Sequence, residues 1–342
     1  MTAGNNSIAL SMTNVTRRFG ATVAVRDVTF DVRRGEMFGL IGPDGAGKTT
    51  TIRLLCGLLA ADSGAVRVLG RDPVREHVAI TRSVGYFSQR FSLYGDLSID
   101  ENLAFFSEIH GLKHYDARRT RLLDMMQLTP FRRRLAERLS GGMKQKLALA
   151  CTLIHEPEVI LLDEPTTGVD PVSRREFWKL LSEFLSQGIT IVATTPYLDE
   201  AERCSRVGLL HEGRLLALDN PEHLRGEYPG QVVEVIAEPQ ARASAVLAAL
   251  EGAADVHAFG ERLHVRLARA DERAPERVRA ALERAGVSVS ASRAVSPSLE
   301  DVFINQVLHA ASAARQSTTT GLPAPGRVEG PRRRGPGPRD NA

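Results

Sequence analysis

An α/β fold with a mainly parallel sheet is expected from three observations. Apolar runs at residues 37–41, 159–162 and 189–193 read as buried strands. Helical patterns at residues 50–55, 143–154 and 174–186 alternate with them, which places helices on both faces of one sheet. A glycine-rich turn, Gly42-Pro43-Asp44-Gly45-Ala46-Gly47-Lys48-Thr49-Thr50, joins the first of those strands to the first of those helices.

Strand, glycine turn and helix in that order are the setting of a phosphate-binding loop. The glycines let the backbone curl tightly, so that several N–H groups point into one concavity and cradle an anion. The helix behind adds its positive N-terminal end. Lys48 is placed to reach the β- and γ-phosphates of a nucleotide, and the Thr49 hydroxyl to ligate Mg²⁺. The alternative is an ordinary turn of similar composition, and the flanking strand and helix weigh against it.

Composition narrows the remaining choices. The chain has 342 residues, 43% hydrophobic and 25% charged, enough for a sizeable core and for two domains. A formal net charge of +3 calls for neither nucleic acid nor a lipid surface. Cys56, Cys151 and Cys204 lie far apart and one is necessarily left over, which argues against a disulfide framework or a zinc site and suits a reducing cytosol. The N-terminus is polar, and no run approaches the ~18 apolar residues of a spanning helix. If the protein works at a membrane, another chain is expected to do the crossing.

Taken in order, residues 8–41 alternate as β-strands do, with Val23, Val25, Val28, Phe30 and Val32 on one pattern and Phe19 ahead of them. Further strands are expected at residues 66–69 and 84–87. Residues 98–139 are mostly helical in pattern and begin with a capping signal, Ser98 followed three residues later by Glu101. Another helix follows Ser140-Gly141-Gly142, and the strand at residues 159–162 ends in Asp163-Glu164-Pro165. A helix around residues 198–204 closes the alternating region. Residues 226–230 look like a linker. Beyond them the order strand, helix, strand, strand, helix, strand over residues 231–292 suggests a small ferredoxin-like module. After about residue 310 the chain is rich in Ser, Thr, Gly, Pro and Arg and holds too few apolar residues to bury a core. The expected division is a nucleotide-binding domain at residues 1–225, an accessory module at 230–308 and an unfolded basic tail at 309–342.

Leu139-Ser140-Gly141-Gly142-Met143-Lys144-Gln145 is the second decisive stretch. Ser-Gly-Gly opening a helix is by itself either an ordinary cap or an anion-binding helix end. Shortly after it, Asp163 and Glu164 stand at the exposed end of a buried strand, where open α/β sheets bind ligands. With these residues in view, the chain over residues 8–220 resembles the ATP-binding cassette (ABC) family. Residues 42–49 resemble its Walker A loop, 139–145 its signature sequence and 159–164 its Walker B strand. Gln89 is similar to the Q-loop glutamine, and Gly168-Val169-Asp170 to the D-loop.

The resemblance implies a P-loop NTPase cassette with a RecA-like core, an antiparallel β subdomain and a helical signature subdomain, followed by a small α+β C-terminal module. It implies ATP and Mg²⁺ as ligands. Asp163 would hold the metal's water shell, since a hard cation prefers oxygen. Glu164 would polarise the attacking water, unless it is a structural carboxylate capping the next turn. Gln89 would touch Mg²⁺ or that water, and Phe19 would stack on adenine, with core packing as its rival role. Ser140 and Gly142 would face a nucleotide held on a second cassette, so a symmetric dimer is implied.

One position departs from the family pattern. In Ala193-Thr194-Thr195-Pro196-Tyr197-Leu198-Asp199-Glu200-Ala201-Glu202, proline stands where the family usually carries a switch histidine. Proline offers no side-chain donor and no N–H. Neither His155 nor His211 is placed in sequence to substitute, whereas Thr195 or Tyr197 could supply a hydroxyl. Slow but real ATPase activity is expected. Phe91-Ser92-Leu93-Tyr94-Gly95-Asp96-Leu97-Ser98, Glu101-Asn102-Leu103, Asp199-Glu200-Ala201-Glu202 and Pro297-Ser298-Leu299-Glu300-Asp301-Val302-Phe303 resemble the subfamily that drives export through ABC-2 type permeases, drug exporters among them. This implies a cytoplasmic protein held at the inner face of the cell membrane by its permease. A soluble ABC ATPase without a transport role, or an ATP-holding regulatory subunit, are the rival readings.

Overall fold

The structure, a computed structural model, describes residues 7–89 and 93–319. Strands β1 (Ile8–Phe19) and β2 (Thr22–Arg33) form a hairpin whose inward positions, Leu10, Met12, Val25, Val28 and Phe30 among them, are buried. Strand β3 (Met37–Ile41) is buried at every position, as a strand covered on both faces must be. Helix α1 (Lys48–Leu55) follows the glycine turn; β4 (Ser63–Val68), α2 (His77–Ser83) and β5 (Val84–Phe87) come next. Helix α3 (Ile99–Ile109) starts with the expected capping box, Ser98 and Glu101 satisfying each other's backbone N–H. After α4 (Asp116–Met125) come two short 3₁₀ turns, then α5 (Gly141–Leu153), β6 (Val159–Asp163), α6 (Pro171–Ser186), β7 (Thr190–Thr195) and α7 (Leu198–Ala201). The hairpin β8 (Arg206–His211) and β9 (Arg214–Asp219) and helix α8 (Pro221–Gly226) end this half of the chain.

Six strands make the central sheet in the order β5-β6-β7-β3-β8-β9, parallel except for the β8–β9 hairpin. A separate antiparallel sheet, β2-β1-β4, covers one face of it through α1. The Phe30 and Phe38 rings stack at 5.2 Å between the two sheets, a contact worth about 1 kcal/mol beyond the area it buries. The opposite face packs Phe87, Leu162 and Ile191 against α3, α5 and α6, with Trp178 and Phe177 fully buried between.

The remaining elements are β10 (Gln231–Glu238), α9 (Gln240–Ala248), β11 (Ala253–Phe259), β12 (Arg262–Leu267), α10 (Ala274–Arg284), β13 (Ser288–Val295) and α11 (Leu299–Thr319). Their four strands form one antiparallel sheet, β11-β12-β10-β13, with α9 and α10 packed on one face over Val233, Val235, Leu263 and Val265. Tyr228 and Val232, on either side of the expected linker's end, and Leu299 and Val302 of α11 all belong to the core of the first half. Helix α11 runs to Thr319, into the stretch 309–342 expected to stay unfolded. Residues 310–316 hold four alanines and no glycine or proline, so nothing stops the helix there. Residues 320–342, with the rest of that expected tail, lie outside the described residues, as do Phe91 and Ser92.

On the other face of the four-stranded sheet, His264 of β12 is held between two buried carboxylates. Its Nδ1 lies 2.9 Å from Asp301 of α11 and its Nε2 3.7 Å from Glu234 of β10. Arg262 and Arg293 also bind Glu234, and the Phe259 ring edges the imidazole at 4.8 Å. The Asp301 hydrogen bond and the two carboxylate charges raise the His264 pKa above its usual 6.5. Burial pulls Asp301 upward, but hydrogen bonds from His264 and Ser298 leave it below its usual 3.8. The histidine's contribution is complete below pH 6.5 and is lost as pH rises through its elevated pKa. The aspartate's is present above pH 3.8 and is lost in stronger acid. The link from α11 to the sheet is therefore tightest between those values. Amide exchange in α11 is expected to quicken as pH climbs from 6 to 9, beyond the intrinsic pH effect, and His264→Gln should abolish that excess.

Candidate functional site

The glycine turn closes on itself before α1 begins. Ala46 donates its N–H to the Pro43 carbonyl at 3.2 Å, and Gly42 donates to the Thr195 carbonyl at the end of β7 at 3.4 Å. Gly47, the N-cap of α1, has φ of 104°, a left-handed conformation that a side chain would strain. No side chain caps α1, so its first-turn N–H groups are left to an anion. Pro43, Asp44 and Gly45 are exposed, while Gly42, Ala46 and Lys48 are not. A cavity of about 490 Å³ opens here, lined by Thr22, Val23, Ala24, Gly45, Lys48 and Glu164 among others.

Lys48 is 4% exposed, and its ammonium has three partners: the Gly42 carbonyl at 2.8 Å, the Pro43 carbonyl at 3.0 Å and Glu164 Oε1 at 3.0 Å. Glu164 is 7% exposed and takes a second donor, Gln89 Nε2, on Oε2 at 2.9 Å. The strand end thus gathers Lys48, Glu164 and Gln89 from three separated stretches of sequence. Glu164 Oε2 also accepts the Thr167 hydroxyl of the following turn at 3.3 Å.

Asp163 is 1% exposed, and both Thr49 and Thr194 donate to its Oδ1, at 3.0 and 2.9 Å. Burial raises its pKa, assisted by the Glu164 charge and opposed by those two hydroxyls. Its Oδ2 is buried with no hydrogen-bond partner among the described residues. An orphaned carboxylate oxygen beside a hydroxyl is a donor set that suits a hard divalent cation, so the residues present fit Mg²⁺. Thr194 is the residue that sequence reasoning missed. Its hydroxyl bonds the Asp163 carboxylate and also accepts the Glu164 N–H at 3.0 Å, so one side chain ties the Asp163 carboxylate to the Glu164 backbone.

Other expected residues sit elsewhere. Phe19 ends β1 and is 47% exposed, with the Arg17 guanidinium 4.9 Å above its ring, so it does not pack in the core. Ser140 caps α5, accepting the Met143 N–H at 3.3 Å. Gly141 behind it is exposed, and Gly142 lies so close to Ser173 of α6 that a Cβ would come within 2.5 Å of its hydroxyl. Asp170 caps α6, and the Ser173 and Val172 N–H groups lower its pKa. None of these four lines the cavity at the glycine turn; they form a second, exposed surface at the starts of α5 and α6. A larger cavity, of about 760 Å³ between Arg118, Phe184 and Thr190, contains none of the expected residues.

Pro196 follows β7 directly and is half-buried. Of the two residues that could substitute, Thr195 has its hydroxyl committed. Thr195 donates to Glu200 Oε2 at 2.5 Å and accepts the Tyr197 N–H, and the Tyr197 ring lies under the Arg174 guanidinium at 4.3 Å. His155 stacks on His110 at 3.9 Å, and His211 meets the Phe303 ring at 6.0 Å.

Comparison with known proteins shows what the chain is similar to. Residues 25–167 match the ABC transporter family, and residues 220–307 match the C-terminal domain of DrrA1-3-like ATP-binding proteins. The chain is 43% identical over 215 residues to the probable multidrug ABC transporter ATP-binding protein YbhF of Escherichia coli, spanning 62% of this chain but only 37% of that protein. It is 33% identical over 300 residues to the daunorubicin resistance ATP-binding protein DrrA3 of Streptomyces coeruleorubidus, covering 87% of this chain and 95% of that one. Among solved structures, the dimeric post-hydrolysis state of the cassette MJ0796 bound to ADP and Pi superposes with a TM-score of 0.56 at 26% identity, over 62% of this chain and 98% of the other.

Proposed function

The chain belongs to the ABC transporter family, as an ATP-hydrolysing subunit, and from that premise we propose that it powers export of a drug or other hydrophobic compound through a separate ABC-2 type permease. The observation that carries the catalytic part is the meeting of Lys48, Glu164 and Gln89 beside the orphaned oxygen of Asp163. The glycine-turn N–H groups and Lys48 bind and orient the triphosphate. Mg²⁺ would be held by Thr49 and Asp163, with Gln89 beside them, and when bound supplies charge neutralisation at the phosphate oxygens. Glu164 accepts the proton of the attacking water, with Thr194 fixing its backbone and Gln89 its carboxylate.

Phe19 supplies the exposed ring on which adenine stacks. The surface formed by Ser140, Gly141, Gly142 and Asp170 faces the nucleotide of a second copy, since in one chain it lies apart from the glycine-turn cavity. Residues 1–225 act as the nucleotide-binding domain and 230–308 as an accessory module; the working place is the cytoplasmic face of the cell membrane. With Pro196 lacking a donor, and the Thr195 hydroxyl committed to Glu200, turnover is slow. The same observation favours the second reading, a subunit that holds ATP without cycling.

Phosphate release from the purified chain, alone and in membranes with a co-expressed permease, separates the two. The expected result is slow release that rises several-fold with the permease, together with recovery of that permease on the tagged chain. Release at the buffer background in both preparations would leave the regulatory reading instead.

A further inference from the structure

We infer that Glu200 is a positioning residue that locks the hydrolytic turn, the proline-bearing switch segment and the helix leaving Asp170 into one body. This rests on the dimeric reading above. Glu200 is 2% exposed, in the short helix α7, and it touches three elements at once. Its Oε1 accepts the Thr166 hydroxyl at 2.6 Å and Arg174 Nε at 3.0 Å; its Oε2 accepts the Thr195 hydroxyl at 2.5 Å. A buried carboxylate so placed is held only while all its partners stay put, because each lost partner leaves a desolvated charge.

Each partner leads to a different part of the machinery. Thr166 is itself 2% exposed and stands two residues beyond Glu164, in the turn where the Thr167 N–H returns to the Glu164 carbonyl at 3.3 Å. Thr195 offers its carbonyl to Gly42 at the start of the glycine turn, and it precedes Pro196. Arg174 lies in the first turns of α6, whose N-cap is Asp170, and its guanidinium also covers Tyr197 and reaches Asp199 at 3.2 Å. At position 196 proline supplies no hydrogen bond from its own side chain toward the phosphate side. Glu200 holds the segment around it from behind. Displacement of α6 by a neighbouring cassette is thereby passed to the turn that carries Glu164 without touching the nucleotide.

The test uses the full chain with Glu200→Gln, which keeps the shape but has one acceptor oxygen and no charge, and with Thr195→Val and Thr166→Val, which each remove one donor. Turnover, KM for ATP, fluorescent-nucleotide affinity and the unfolding midpoint are measured together. The expected result is a kcat about 10-fold lower for Glu200→Gln, with KM and nucleotide affinity within about twofold, a geometric misplacement at the hydrolytic step. Each valine variant should show a smaller loss of the same kind, and adding either to Glu200→Gln should cost little more. If the glutamine variant fails to fold, the two valine variants carry the test. An unchanged kcat in the folded variants, or losses that track the unfolding midpoint alone, would overturn the inference. Failure of the wild-type chain to hydrolyse ATP or to dimerise with it would instead overturn the functional reading beneath.

Discussion

Glu164→Gln is expected to lower ATP turnover at least about 100-fold, the usual contribution of a positioned general base, while the variant binds ATP more tightly than the wild-type chain. The first half follows from the proton: an amide cannot accept it from water. The second half follows from the pairing of Lys48. Its three donors are taken by two loop carbonyls and by Glu164, so a triphosphate must compete with a buried carboxylate 3.0 Å away. Glutamine leaves no charge in that place and frees the ammonium. The ATP complex should therefore persist as a dimer on size exclusion with Mg²⁺ present. A variant that stays monomeric with saturating nucleotide, permease included, would sink the paired-cassette account; a variant that binds ATP no better than wild type would sink the competition argument.

How much of the molecule is legible in its sequence depends on whether the deciding interaction is local. The glycine turn is legible because a strand, a left-handed glycine and an uncapped helix are all specified within a dozen or so residues. Ser98 with Glu101, and the order of elements in the four-stranded module, are legible for the same reason. Thr194 is not: it reads as one more β-branched residue in a buried strand, and its role exists only because β6 and β7 run parallel with Asp163 opposite Thr194. The β8–β9 hairpin carries a signal that was missed, Glu212-Gly213 between apolar runs. Its turn matters, since Gly213 donates to the Ala46 carbonyl at 3.0 Å and Glu212 lines the nucleotide cavity. Helix α11 is masked by the Gly-, Pro- and Arg-rich stretch beyond it, whose composition drew the expected boundary too early.

The position of Pro196 shows the same division. Its identity is plain in the sequence, but its consequence depends on whether the Thr195 hydroxyl is free. Only the contact to Glu200 decides that. A catalytic device lost at one residue is not replaced by the nearest hydroxyl when that hydroxyl is already a structural tie.

Lys48→Ala should be the most damaging single change, for stability as well as for binding. Removing the ammonium takes away the charged contact to the triphosphate, and an affinity loss of about 100-fold, or about 2.7 kcal/mol, is expected. It also leaves Glu164 buried with no cation, which costs on the order of 3 kcal/mol when an ion pair at this depth is broken from one side. The two effects separate in a double-mutant cycle. Glu164→Ala alone strands the ammonium, whereas Lys48→Ala with Glu164→Ala strands nothing. In urea unfolding without nucleotide, the double variant should be more stable than the two single losses added together predict, by at least about 1 kcal/mol. Strictly additive losses would mean that the two side chains lie side by side without mutual dependence. The competition between Glu164 and the triphosphate for Lys48 would then have no energetic basis.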